Sequence, residues 1–85
     1  WAYGLGSPVF EPGRRMIVKI SGKDLRLREM PSLNGAVKRY LQPGMKLKIV
    51  DGPAVVDRYN WWLVEIEESK IYGWVVEEAL WFASD

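Results

Sequence analysis

The residues best spaced for acid–base work are glutamates: Glu65 and Glu67 fall on one face of an extended strand, and Glu77 and Glu78 are adjacent. A carboxylate pair cleaves a glycosidic bond only from a cleft, with the groups about 5–10 Å apart and one pKa raised. One domain of 85 residues offers little room for such a cleft. A solvated strand edge accounts for both pairs. The chain has no His and no Cys, which excludes Ser-His and Cys-His nucleophiles and zinc held by nitrogen or sulfur. Asp51 and Asp57 lack the spacing of a calcium loop, and Gly4 and Gly6 form a bare GxG with no helix behind it. We therefore expect no enzyme, no metal and no cofactor. What remains is binding.

The side chains suited to binding are aromatic and basic. Trp61 and Trp62 are consecutive on a strand and must face opposite sides. Trp62 shares parity with Val64 and Ile66 and is expected to fill the core, which leaves Trp61 exposed or under a loop. Trp61, Tyr59, Tyr40 and Tyr72 then line a groove between the 28–41 and 51–60 loops, although such aromatics can also serve only to close the open end of a small barrel. Trp74, following Gly73, is expected in the core. Arg26, Arg28, Lys46 and Lys48 face outward on their strands.

The net charge of +1 conceals an asymmetry. Between Arg14 and Lys48 ten basic residues stand against two acidic ones; from Ile49 to Asp85 two stand against eight. Interleaved strands can cancel much of this as surface pairs worth about 0–1 kcal/mol each. Segregated faces would instead favour an anionic partner or head-to-tail association. An isoelectric point near 8.2 is modest beside the value above about 9 of nucleic-acid-binding domains, and no strand interleaves aromatic with basic residues. A nucleic-acid partner is not expected.

These residues need strands to position them. Met16 to Ile20 is β-branched and closes at Ser21-Gly22; Leu25 and Leu27 alternate with Arg26 and Arg28. After the turn residues Pro31-Ser32-Leu33-Asn34-Gly35, Val37 to Leu41 is a short extended piece ending at Gln42-Pro43-Gly44. Met45, Leu47 and Ile49 point one way and Lys46 and Lys48 the other. Asp51-Gly52-Pro53 ends that strand and opens a ten-residue loop to Asn60. Trp61 to Glu67 and Ile71 to Val76 form the next two strands, joined as a hairpin. Glu77-Glu78-Ala79-Leu80 is expected as a single helical or 3₁₀ turn before an extended Trp81-Phe82. Residues 1–13, with Gly and Pro but also Trp1, Tyr3 and Phe10, form an irregular apolar arm that lies across the barrel or against a partner chain. Residues 14–85 form the barrel.

No run approaches the roughly 18–20 apolar residues of a membrane-spanning helix. No basic n-region precedes an apolar stretch, as a signal peptide requires. The start at Trp1, without Met, leads us to expect a chain processed or cut from something longer.

In this order the blocks resemble the bacterial SH3-type domain. The matching residues are Leu25-Arg26-Leu27-Arg28 with Pro31-Ser32, then Leu41-Gln42-Pro43-Gly44-Met45-Lys46-Leu47, then Trp61-Trp62-Leu63-Val64, then Gly73-Trp74-Val75 ending at Leu80. The resemblance spans about residues 16–81 and implies an all-β, partly open barrel of five or six antiparallel strands, with a short 3₁₀ turn near the C-terminus. It further implies an extracytoplasmic module (periplasm, cell wall or cell surface) that binds either a partner protein or peptidoglycan peptides. The longer 51–60 loop, Tyr72 before Gly73 and the 1–13 arm depart from the pattern. The apolar arm and the absence of an attached hydrolase favour assembly with a partner chain, with wall binding as the alternative. The residues expected to carry binding are Trp61, Tyr59, Tyr40, Tyr72, Arg26, Arg28, Trp1 and Tyr3.

Overall fold

A computed structural model describes residues 9–19 and 25–83. They form an all-β fold with strands Arg15–Val18 (β1), Arg26–Arg28 (β2), Val37–Tyr40 (β3), Lys46–Val56 (β4), Tyr59–Ile66 (β5), Tyr72–Val76 (β6) and Leu80–Phe82 (β7). A single 3₁₀ turn, Glu77–Ala79, links β6 to β7 as expected. All pairings are antiparallel within one open sheet of order β3-β2-β6-β5-β4-β1-β7. The seven strands exceed the five or six expected. Each of the seven overlaps a segment read as extended from the sequence, the short pieces β2, β3 and β7 included.

The largest correction concerns residues 51–60, which are strand and not loop. β4 continues to Val56 by absorbing Gly52-Pro53 into a bulge, marked by register shifts between Ile49 and Asp51 and between Asp51 and Ala54. A bulge is one of the few sheet positions that tolerates a residue without an N–H. Gly52 adopts φ +126, and a Cβ there would sit 2.9 Å from Cε3 of the Trp62 ring, so only glycine fits. Beyond the bulge Ala54, Val55 and Val56 pair again with Trp61, Asn60 and Tyr59. Asp57 and Arg58 close the hairpin with φ of 56° and 69°. Two successive positive φ values characterise the tight turn whose twist matches that of its strands.

The core occupies one face of the sheet, and period-2 alternation places most of it correctly. Trp62, Val64 and Ile66 are buried together, with Leu47 and Ile49 from β4, Leu25 and Leu27 around β2, and Met16 and Val18 from β1. The Trp62 indole N–H donates to Glu77 Oε1 at 2.9 Å, so the 3₁₀ turn satisfies the polar atom that burial of this ring would otherwise strand. Phe10, at the end of the arm, stacks 5.8 Å from Trp62 and lies 4.9 Å from Phe82. The described end of the arm therefore crosses the core; Trp1 and Tyr3 lie outside the described residues. β6 approaches β2 most closely at Gly73, where a Cβ would come within 2.9 Å of both Leu27 methyl groups.

Candidate binding surface

Register decides which residues share the other face. Arg26 pairs with Tyr40, Arg28 with Trp74, Trp74 with Leu63, Val76 with Trp61 and Tyr72 with Glu65. Directly opposed residues of an antiparallel ladder project to the same side. Since Leu27, Val64 and Val75 point into the core, this whole set stands on the outer face of β3-β2-β6-β5. Trp74 is half-buried there and outside the core, contrary to expectation; Val75 takes the inward position.

Trp61 is also on the outer face, as parity requires, but it is not accessible. Its exposure is 1%. The indole N–H donates to Val56 O at 2.9 Å, and the half-buried Tyr59 meets the ring edge-on at 6.3 Å. Burial on a face away from the core needs a second cover, and the 29–35 segment is pinned so as to supply one. Arg28, 9% exposed, donates from Nη1 to Leu33 O at 2.9 Å and Gly35 O at 2.8 Å. At its other side the segment reaches the β4–β5 turn, where Asp57 Oδ2 accepts from Leu33 N at 2.9 Å and Ser32 Oγ at 3.3 Å. Arg28 lies level with Leu63, and the turn lies beyond Tyr59. The segment therefore runs beside the stretch of the outer face that carries Trp61. Two expectations fall with this burial: Arg28 is a buried clamp and not an outward cation, and Trp61 is closed to a ligand.

What stays open is divided between two places. Tyr40 is 62% exposed, with the Arg26 guanidinium 6.0 Å from its ring centroid. Tyr72 is 46% exposed and sits opposite Glu65. The charge of that carboxylate, then hydrogen bonding to it and some desolvation, raise the phenol above its ordinary 10.0. Lys38 bridges toward the second site by donating from Nζ to Tyr72 O at 2.6 Å. The register puts Tyr40 and Tyr72 two strands across and four residues along. At about 4.8 Å per strand and 3.3 Å per residue they are about 16 Å apart. They do not touch, but one extended ligand can reach both.

A cleft of about 700 Å³ opens beside β3, lined by Arg39, the 42–45 turn with Met45, Lys46, Ile66, Glu67 and Glu68. Glu67 is held by Arg15 through Nε and Nη2, both at 3.2 Å. Hydrogen bonding to Arg15 keeps the Glu67 carboxyl below its ordinary 4.5; desolvation opposes it, and the charges of Arg15, Lys46 and Lys70 add to the lowering. Three of the four glutamates spaced for acid–base work thus have another neighbour: Glu65 has Tyr72, Glu67 has Arg15, and Glu77 has the Trp62 indole. Among the described residues no group of three carboxylates gathers as a metal site.

Comparison with family models, curated proteins and solved structures finds no match. The surface therefore has to be read from its own chemistry. Four of its residues escaped the reading of the sequence: Asp57, Trp74, Lys38 and Arg39. Asp57 carried a usable signal, because an Asp-Arg pair between Val55-Val56 and Tyr59-Asn60 is a two-residue hairpin turn between β-formers.

Proposed function

We propose that this chain is a non-catalytic binding module of bacterial SH3 type, which docks onto a partner protein through the aromatic and basic outer face of β2, β3 and β6. The observation that carries the reading is the Tyr40–Arg26 pair. A tyrosine 62% exposed on a strand, with a guanidinium against its ring, contributes little to folding. Tyr and Arg are also the residue types most enriched at the centres of protein interfaces. The first strand paired to both the fourth and the last, with a 3₁₀ turn before the last strand, supports the partly open SH3-type barrel. An extracytoplasmic location is in keeping with a cysteine-free chain.

The test is photocrosslinking. With benzoylphenylalanine in place of Tyr40, irradiation in an extract of the source cells is expected to give one discrete crosslinked protein. Excess wild-type chain should suppress it, and an excess of the Tyr40→Ala/Arg26→Gln double variant should not. Competition by both alike would sink the proposal. Loss of the crosslink together with co-sedimentation on purified peptidoglycan would replace the partner protein with the cell wall.

A further inference from the structure

The outer face ends at β3, which is also one edge of the sheet: among the described residues it pairs with β2 alone. Leu41 N–H donates to Leu25 O and Glu29 N–H to Ala36 O, so Tyr40, opposite Arg26, and Val37, opposite Arg28 beyond the bulge at Lys38, direct their backbone N–H and C=O away from β2. An unpaired row of this kind is a template for one more strand. Two neighbouring surfaces would receive its side chains. On the core side is the 700 Å³ cleft, with Met45 and Ile66 as apolar lining, Arg39 and Lys46 as cations, and Glu67, paired with Arg15, and Glu68 as carboxylates. On the outer side are Tyr40, Arg26 and Lys38.

We propose that β3 accepts an extended acidic peptide of the partner as an eighth strand, with apolar side chains turned into the cleft and carboxylates turned toward Arg26 and Lys38. This rests on the binding-module reading and specifies its ligand. Charge selects the occupant. Among the described residues Arg26 and Arg39 form no ion pair, and around the edge four cations, Arg26, Lys38, Arg39 and Lys46, stand against Glu68 and Glu67, the latter already paired with Arg15. A second copy paired β3 to β3 would set Lys38 and Arg39 against their own equivalents, and like charges facing across a ladder are destabilising. The other edge, β7, has only Leu80, Trp81 and Phe82 to offer and no acidic residue. The same cations that turn away a copy of this chain attract an acidic strand.

The experiment titrates the whole chain, ¹⁵N-labelled, with an acetylated and amidated peptide of alternating Val and Glu. The amides of Lys38 to Tyr40 are expected to shift, and Tyr40 N–H exchange to slow by about tenfold or more at saturation. Binding should weaken as salt rises. It should also fall about tenfold when alternate peptide nitrogens are methylated, which removes the ladder donors, and about tenfold again in Arg26→Gln/Lys38→Gln. A peptide of alternating Val and Lys should leave β3 unmoved. No shift at β3 with about 2 mM acidic peptide, well above the Kd range of specific peptide recognition, would overturn the proposal, as would equal binding of the basic peptide. Shifts at β3 that grow with protein concentration alone would assign the edge to a second copy and overturn it too. Undiminished binding of the methylated peptide would end strand addition yet leave side-chain docking on the same face intact. Loss of the binding-module reading itself would show in the Tyr40 crosslink.

Discussion

Asp57 is the side chain whose loss should most clearly release the cover over Trp61. It sits at φ 56° in a two-residue turn, so a change to Ala would mix two effects: loss of the carboxylate and a Cβ in left-handed backbone. Two substitutions separate them. Asp57→Asn keeps an acceptor and tolerates the backbone; Asp57→Gly relaxes the backbone but removes the acceptor. The bonds at stake are Leu33 N–H at 2.9 Å and Ser32 Oγ at 3.3 Å, both solvent-exposed. Hydrogen bonds to a charged group are worth about 1.5–3 kcal/mol each, less in water and at the longer distance. We therefore expect a net loss of about 1–2 kcal/mol for Asp57→Gly, a fall in Tm of about 4–16 °C for a domain of this size. Asp57→Asn should stay within about 0.5 kcal/mol of the parent. Urea unfolding measures the stability; exchange of the Trp61 indole N–H, followed by NMR, reports the cover. That proton, bonded to Val56 O, should exchange faster in Asp57→Gly by a factor matching the lost stability of the 29–35 segment. If Gly and Asn variants are equally stable and the indole proton is equally protected in both, the segment does not shield Trp61 and the description of this face is wrong.

Three further outcomes follow from the same geometry. Gly73→Ala drives a methyl into Leu27, which is fully buried; a loss of about 1–3 kcal/mol in denaturant unfolding is expected from overpacking, and a neutral result would mean that β2 and β6 are not in close contact. Trp61→Ala should cost about 3–5 kcal/mol, as a buried ring does, whereas Trp81→Ala, at a ring 56% exposed, should cost under about 1 kcal/mol; the reverse order in the same melts would contradict the burial. Because the Tyr72 phenol is raised by Glu65, the folded chain keeps that proton longer than the unfolded chain does. Its contribution to stability is thus intact below about pH 10 and declines as the pH climbs toward the shifted value. Spectrophotometric titration of the tyrosines should show one late-ionising phenol that moves down in Glu65→Gln, and four unchanged titrations in that variant would refute the assignment.

Alternation made the core legible. Trp62, Val64 and Ile66, with Leu47 and Ile49 across the ladder, announce their common face because side chains repeat every second residue. The same logic put Trp61 and Arg28 on the outer face, and rightly. It could not tell outward from exposed. The segment that runs beside Trp61 lies about thirty residues earlier in the chain, held by an aspartate 24 residues from the amide that donates to it, and no local pattern encodes that bond. Pro31 to Gly35 signals a turn without saying over what it lies. Asp51-Gly52-Pro53 reads as a stop because Gly and Pro usually interrupt strands; here the interruption is a bulge, and the β-branched Val55 and Val56 resume the ladder. Tyr40 and Tyr72 are exposed on strands, but their separation depends on the register of β2 against β6, which only the folded pairing supplies.

The central claim is that Tyr40 and Arg26 are held open for a partner and not for the fold. The measurement that tests it most directly is the paired stability and competition of Tyr40→Ala/Arg26→Gln. Melting should show the double variant within about 1 kcal/mol of the parent, as for exposed side chains. Its ability to compete for the Tyr40 crosslink should fall about tenfold or more, as when interface hot spots are removed. A variant that competes as well as the parent, or that unfolds because these two side chains were holding the sheet together, would contradict the account.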